Sequence, residues 1–439
     1  MIEGLPSRAA PDDSNPTTIS DRTALCLSGG GFRASLFHLG AVRRINELGI
    51  LSRLGVITSV SGGSILNGVL ATRWSDLNIN NSGVVTNYDS EIAEPLRSFC
   101  RNDLRTKLLL GTRLDPVNWG LLIRDLFSVS ASFLTSSYVP LFRNRRLSDV
   151  PAHGPDVPRF VFCSTSMQTG SCWHFHAGPD GRMGDFYTGY TSTDAVSVAD
   201  AVAASSAFTP GFGPLRLRIK DPRQFTRIDP WGEYRVSSEK RPDLANSYKR
   251  VAILTDGGVY DNLGVEPIWN RFSTVLISDA GHPFASLAGP KQYLISRLKR
   301  AIEISIEQVG AVRKRWFVQE LRSGRRSGAL WAINSRLQDF PIKDAHGYSD
   351  EIRDLLSRVR TDLNAFSEGE MACLENHGYS IADAAIRSYA PASWLSLNAP
   401  FVAPHERWFR EPEASSALAS SARRTWLRNS LAYIIAGGS

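Results

Sequence analysis

Apolar residues recur along this chain in two periods, and the switches between them mark its elements. Residues 24–27 form a short apolar run that predicts a strand. Residues 33–48 then place Leu36, Leu39, Val42 and Ile45 at helical spacing, with Gly49 as a stop. Residues 56–60 are β-branched and brief, and 62–73 return to a helical pattern. This β-α-β-α opening predicts a parallel sheet with right-handed crossovers.

The pattern breaks at Trp74. Residues 78–87 are rich in Asn and Ser, and helical stretches around 92–110 and 119–127 predict an insertion laid over the sheet, spanning about 74–158. Strand-like runs resume at 159–165, 173–177 and 215–219, with a helix at 194–205 leading into SSAFTPGFGP. Residues 251–255 and 274–278 read as apolar strands separated by a helix beginning near Asn262. Beyond Gly281 the chain reads as mostly helical, with 329–333 as an edge strand. The fold class expected is α/β, with no internal repeat.

Composition narrows the class of protein. At 439 residues and 42% hydrophobic, the chain can bury a large core. No run of about 18 uninterrupted apolar residues predicts a membrane span. Residues 1–22 are polar, rich in Pro, Ser and Asp, and lack an apolar core, so they read as a flexible arm and not a signal peptide; the expected location is cytoplasmic. Five scattered cysteines without a CxxC pair argue against a disulfide framework or a zinc site and predict reduced, buried thiols. A formal charge of +7 suits anionic lipid headgroups as well as nucleic acid, so charge alone does not choose between them.

Three segments carry candidate chemistry. Gly29-Gly30-Gly31 follows a strand and opens a helix, so its backbone N–H groups can face developing negative charge as an oxyanion hole. The same residues with Ala34 also fit the dinucleotide pattern G-x-G-x-x-A. That pattern wants an acid at the end of the next strand, where this chain has Ser59-Val60-Ser61. Ser59-Val60-Ser61-Gly62-Gly63 matches the nucleophile turn G-x-S-x-G except that Ser59 replaces the first glycine; a helix N-cap is the competing role for Ser61. Asp256-Gly257-Gly258 ends another strand, expected on the same carboxyl edge as Ser61, and is either the base for Ser61 or a plain turn. None of the eight histidines sits in a triad-like context; His282 is the one tempting base, and His38, His174 and His176 read as structural.

One amphipathic stretch remains. Residues 294–326 carry Ile295, Leu298, Ile302, Ile306 and Val309 as a stripe ahead of Arg313-Lys314-Arg315-Trp316, which packs either on the protein's own core or at a lipid surface. Residues 143–146 read as a solvated basic turn.

GGGFRA, SVSGG, ASSAFTPGFGP and DGGVYDNLG, in this order, resemble the patatin-like phospholipases, which share a Ser/Asp dyad with cytosolic phospholipase A2. The resemblance covers about residues 24–280. It implies a three-layer sandwich with a mostly parallel central sheet over 23–285, a helical insertion, and a helical region at 286–439 on the same core. It also implies Ser61 as nucleophile, Asp256 as general base, Gly29, Gly30 and Gly31 as oxyanion-hole backbone, and Arg33 as a residue that could meet lipid phosphate. The expected activity is hydrolysis of phospholipid or related acyl-lipid esters without cofactor or metal, at a peripheral, inner-membrane surface and with no nucleic-acid partner. A signal-activated bacterial defence phospholipase and a non-catalytic lipid- or nucleotide-sensing module are the alternatives on this scaffold.

Overall fold

The computed structural model describes residues 19–104, 131–209, 212–232, 247–284, 286–289, 293–391, 399–419 and 421. Its strands are β1 (Ser20–Leu27), β2 (Leu54–Val60), β3 (Arg159–Ser166), β4 (Cys172–His176), β5 (Arg182–Asp185), β6 (Gly189–Ser192), β7 (Leu215–Arg218), β8 (Val251–Asp256), β9 (Phe272–Asp279) and β10 (Ser327–Ala332). Its helices are α1 (Gly31–Glu47), α2 (Gly62–Arg73), α3 (Glu94–Cys100), α4 (Ala131–Tyr138), α5 (Val198–Ser206), α6 (Gly258–Asp261), α7 (Leu294–Arg322), α8 (Asp350–Ser357), α9 (Glu368–Tyr389) and α10 (Glu411–Ala419).

All ten strands join one sheet, in the order β10-β9-β1-β2-β3-β4-β5-β6, with β8 beside β3 and β7 beside β8. From β10 to β3 every pairing is parallel. Beyond β3 the sheet turns antiparallel. Alternation along the strands sends side chains to two faces. Leu25, Leu27 and Ile57 enter the larger core with α1, α2, α5 and α9, while Ala24, Cys26, Val56 and Val60 enter a smaller core with Leu263, Ile268 and Phe317. The result is a mixed α/β architecture with helices on both faces and a helical C-terminal region.

Four sequence expectations change. β1 begins at Ser20, inside the stretch read as a flexible arm, because Ser20 already pairs with Phe272. The short strands β5 and β6 were not anticipated. Only the four-residue α6 and a further turn at Glu266–Ile268 stand where a helix was expected near Asn262, since Pro267 and the left-handed Gly264 break any longer run. β8 runs antiparallel to β3, so it does not arrive at the carboxyl edge as its parallel neighbours do. The expected helix at 119–127, the distal part of that at 92–110, and most of the arm lie outside the described residues, as do Pro210 and Gly211 of the SSAF segment. All five cysteines are free and buried.

Candidate active site

The topology around β3 explains how Ser61 and Asp256 meet. β2 pairs with β3 up to Val60 opposite Cys163, and β8 continues along the same flank from the other direction, with Asp256 opposite Ser164. The carboxyl ends of the two strands therefore abut head to head. Ser61 and Asp256 are the residues at that junction.

Ser61 occupies a left-handed conformation with φ 48 and ψ −116. Such geometry in a non-glycine residue costs about 1–3 kcal/mol and persists only where the surroundings over-determine it. Its hydroxyl makes no capping bond to α2, so the N-cap role does not describe it. Small neighbours make the turn possible: a Cβ on Gly62 would overlap the Gly31 carbonyl. Ser59, standing where the nucleophile-turn pattern has glycine, is fully buried and is held by the Ser64 hydroxyl at 3.0 Å and the Asn67 amide at 2.9 Å.

Asp256 is buried, and its carboxyl titrates near 6 instead of 3.8 because burial disfavours the charged form. Hydrogen bonds from the Gly258 N–H, at 2.7 Å, and from the Ser61 hydroxyl act in the opposite direction. With a pKa near 6 this carboxyl is mostly ionised at neutral pH, the form that can take a proton from a neighbouring serine hydroxyl.

The glycine loop lies beside this pair, and its three members differ. The Gly29 N–H donates to the Asn262 carbonyl at 3.1 Å, so it is spent on structure and is no oxyanion donor, contrary to the sequence expectation. The N–H groups of Gly30 and Gly31 take no partner among the described residues. Gly30 has φ 144, a conformation closed to other residues, and a side chain there would strike the Ala280 carbonyl.

Arg33 also departs from expectation. Its guanidinium is buried and donates to the carbonyls of Ala280 at 2.7 Å, Val359 at 2.9 Å and Ser357 at 3.2 Å, and to His282 Nδ1 at 3.2 Å. Burial lowers its pKa to about 10. With its donors on carbonyls it binds no lipid phosphate here; it clamps the chain that backs Gly30. His282 is correspondingly an acceptor from Arg33. His38 is buried between Ser278 and the Ser28 carbonyl, with its pKa lowered to about 4, so it stays neutral.

Two contributors carried no role in the sequence reading. The Ser205 hydroxyl accepts the Ser61 N–H at 2.9 Å and donates to the Cys163 carbonyl at 2.6 Å, while its own carbonyl accepts the Gly257 N–H at 3.2 Å. Ala207 accepts the Asp256 N–H at 3.1 Å. The end of α5 thus ties both halves of the site together, and the SSAF segment that encodes it was visible. Asn262 does the same between the glycine loop and the turn after Asp256, where it crowds both Gly29 and Gly258. Among the described residues no group of three or more His, Cys, Asp or Glu side chains is placed to hold a metal ion.

The dinucleotide reading of the glycine loop does not fit the start of α1. The N–H that follows Gly31, that of Phe32, is capped by the Asp362 carbonyl at 3.1 Å and is not open to a pyrophosphate.

A mainly parallel sheet between helical layers, with a strained serine at the end of a central strand, defines the mixed α/β class of this chain. The patatin-like phospholipase family model matches residues 25–269, and the chain belongs to that family. No curated protein matches the chain. Among solved structures, human GIVD cytosolic phospholipase A2 is 12% identical over 86% of this chain, with a TM-score of 0.45; this chain spans 60% of its length. VipD from Legionella pneumophila is 14% identical over 95% of this chain and 77% of its own, with a TM-score of 0.35.

Proposed function

We propose that this protein is a lipid acyl hydrolase of phospholipase A type that works through a Ser61/Asp256 dyad. The observation that carries the reading is the strained, uncapped Ser61 at the strand junction beside Asp256, a buried carboxyl whose pKa is raised to about 6. Family membership supplies the substrate class, carboxylic esters of membrane phospholipids or related lipids.

In this scheme Asp256 takes the hydroxyl proton as Ser61 Oγ bonds to the ester carbonyl carbon. The N–H groups of Gly30 and Gly31 hold the resulting oxyanion. Collapse breaks the ester bond, and the departing alcohol takes the proton from Asp256. Water then attacks the acyl-enzyme, again with Asp256 as base, and frees the fatty acid and Ser61. A carboxylate is a weaker base than imidazole, so orientation and exclusion of water by the acyl chain carry much of the acceleration. Substrate of this kind is held in a bilayer, so the protein works at a peripheral membrane surface.

A fluorophosphonate probe tests the reading. Wild type should be labelled at Ser61 and the Ser61→Ala variant should not, with loss of phospholipid hydrolysis in parallel. Labelling that persists in the variant assigns the nucleophile elsewhere.

A further inference from the structure

The ion pairs that the long helix α7 makes with the sheet and its loops fall at its inner end. Lys314 Nζ meets Asp279 Oδ2 at 2.5 Å, Arg313 pairs with Glu266 at 2.6 Å and Asp261 at 3.3 Å, and Trp316 stacks on Trp269 with centroids 3.7 Å apart. Arg313, Lys314 and Trp316 of the basic-aromatic run are therefore committed to the protein's own surface, which removes them as lipid contacts, while Arg315 is exposed. Asp279 ends β9 at the carboxyl edge of the sheet, the edge that carries Ser61. At 1.5 Å per residue, Leu294 lies about 30 Å along the helix from the Lys314 contact at that edge.

That outer stretch is apolar and uncovered. Among the described side chains of α7, none ahead of Phe317 is buried. Leu294, Leu298 and Ile302 share one face at four-residue spacing and are 63%, 56% and 48% exposed; Tyr293, just before them, is 78% exposed. The sequence from Gly281 to Ile302 contains no Asp or Glu, while it contains Lys291, Arg297, Lys299 and Arg300; acids return only at Glu303 and Glu307. Arg300 is engaged, 3.6 Å from Glu303 and over the Phe284 ring at 3.9 Å, while Arg297 is exposed, so apolar surface and a net positive sequence coincide at the outer end of the helix. This is the composition of a segment that lies in an anionic lipid interface, and it does not suit an aqueous surface.

We infer that the outer half of α7 is the membrane-docking element, its Leu294, Leu298 and Ile302 face entering the headgroup region of an anionic bilayer and Arg297 pairing with lipid phosphate. Docking by a helix anchored at the catalytic edge turns the Ser61 side of the molecule toward the bilayer. The inference rests on the lipid-hydrolase reading only for the location of the substrate.

The test uses full-length protein and sedimentation with vesicles of ether-linked phosphatidylcholine and phosphatidylglycerol, which no ester hydrolase can degrade. Leu298→Glu/Ile302→Glu should weaken binding by more than about tenfold. Arg297→Glu should weaken it about fivefold at low salt and little at high salt. Hydrolysis of a monomeric, water-soluble ester and the melting temperature should stay at wild-type values in these variants. Binding that survives the double substitution overturns the inference, as does a wild type that does not bind these vesicles. A double variant that loses self-association by light scattering while still binding vesicles assigns the face to a second copy of the chain. If wild type binds through α7 but does not cleave the soluble ester, the hydrolase reading fails and the docking assignment stands.

Discussion

The Ser61 turn and α7 meet the same edge of the sheet, yet the turn is held from every side and the outer part of the helix from almost none. Around Ser61, the backbone of β2, the Ser205 hydroxyl, Asn262 and the glycine loop fix a conformation that the residue would not adopt alone. Along α7, helical geometry is satisfied internally and the exposed Leu298 touches solvent. Strain can be kept only where packing is dense; apolar exposure is tolerated only where something outside the chain uses it. Substitutions should therefore act on activity in the first region, on folding in the layer that supports it, and on neither along the arm.

The largest effect belongs to the dyad. Asp256→Asn keeps the shape of the side chain and removes the proton acceptor, so kcat for a soluble ester should fall by about 10³-fold. Circular dichroism should report an unchanged fold. A variant within tenfold of wild type would give the role of base to another group, and His282→Ala is the control, expected to matter far less.

Next comes the support layer. α9 crosses α1 so closely that a Cβ on Gly378 would overlap the Phe37 carbonyl, and its buried acids are matched one by one: Glu370 by Arg360, Glu375 by Arg97 at 2.6 Å, Asp383 by Arg44 at 2.7 Å. Gly378→Val should cost about 3 kcal/mol in urea unfolding, because backbone and not a flexible side chain must yield. A loss under 1 kcal/mol would mean that the two helices separate easily, and that the Ser61 region is less tightly held than argued.

The third effect is a pH dependence with a definite sign. Asp256 ionises near 3.8 when unfolded and near 6 when folded, so the folded protein holds the extra proton between these values. Its contribution to stability is present below about 4 and lost as pH rises through about 6, a change of up to about 3 kcal/mol at 1.36 kcal/mol per unit. Activity runs the other way, since the base must be ionised. The acid limb of kcat/KM should fall near pH 6, while the stability advantage of Asp256→Asn over wild type should grow from pH 4 to pH 7. A flat difference across that range would show that the carboxyl is not buried in solution.

Much of the site was legible because its chemistry is local. Ser61 and Asp256 each sit in a short motif whose small residues report a tight turn. The direction of β8 was not, since an apolar run such as VAILTD reads the same parallel or antiparallel. Arg33 misled because its four acceptors come from residues 280, 282, 357 and 359, far along the chain, and a lone Arg beside a glycine loop looks free. The division of labour among Gly29, Gly30 and Gly31 depended on Asn262, whose position relative to the loop only the fold supplies. Helical spacing placed Leu298 and Ile302 on one exposed face of α7, while the Ile295 side chain lies outside the described ones and Ile306 and Val309 are partly covered; whether a stripe is covered is a property of its neighbours.

The smallest effect separates the two halves of α7 itself. Trp316→Ala removes a ring stacked on Trp269 and should cost about 2 kcal/mol. Leu298→Ser removes a side chain already in water, so urea unfolding should change by less than about 0.5 kcal/mol. Equal losses at the two positions would mean that the outer helix is packed in solution after all, and that the arm shares the supported character of the Ser61 turn. Unequal losses in the expected order leave an apolar face that folding does not require, which is the reason to look for its use outside the chain.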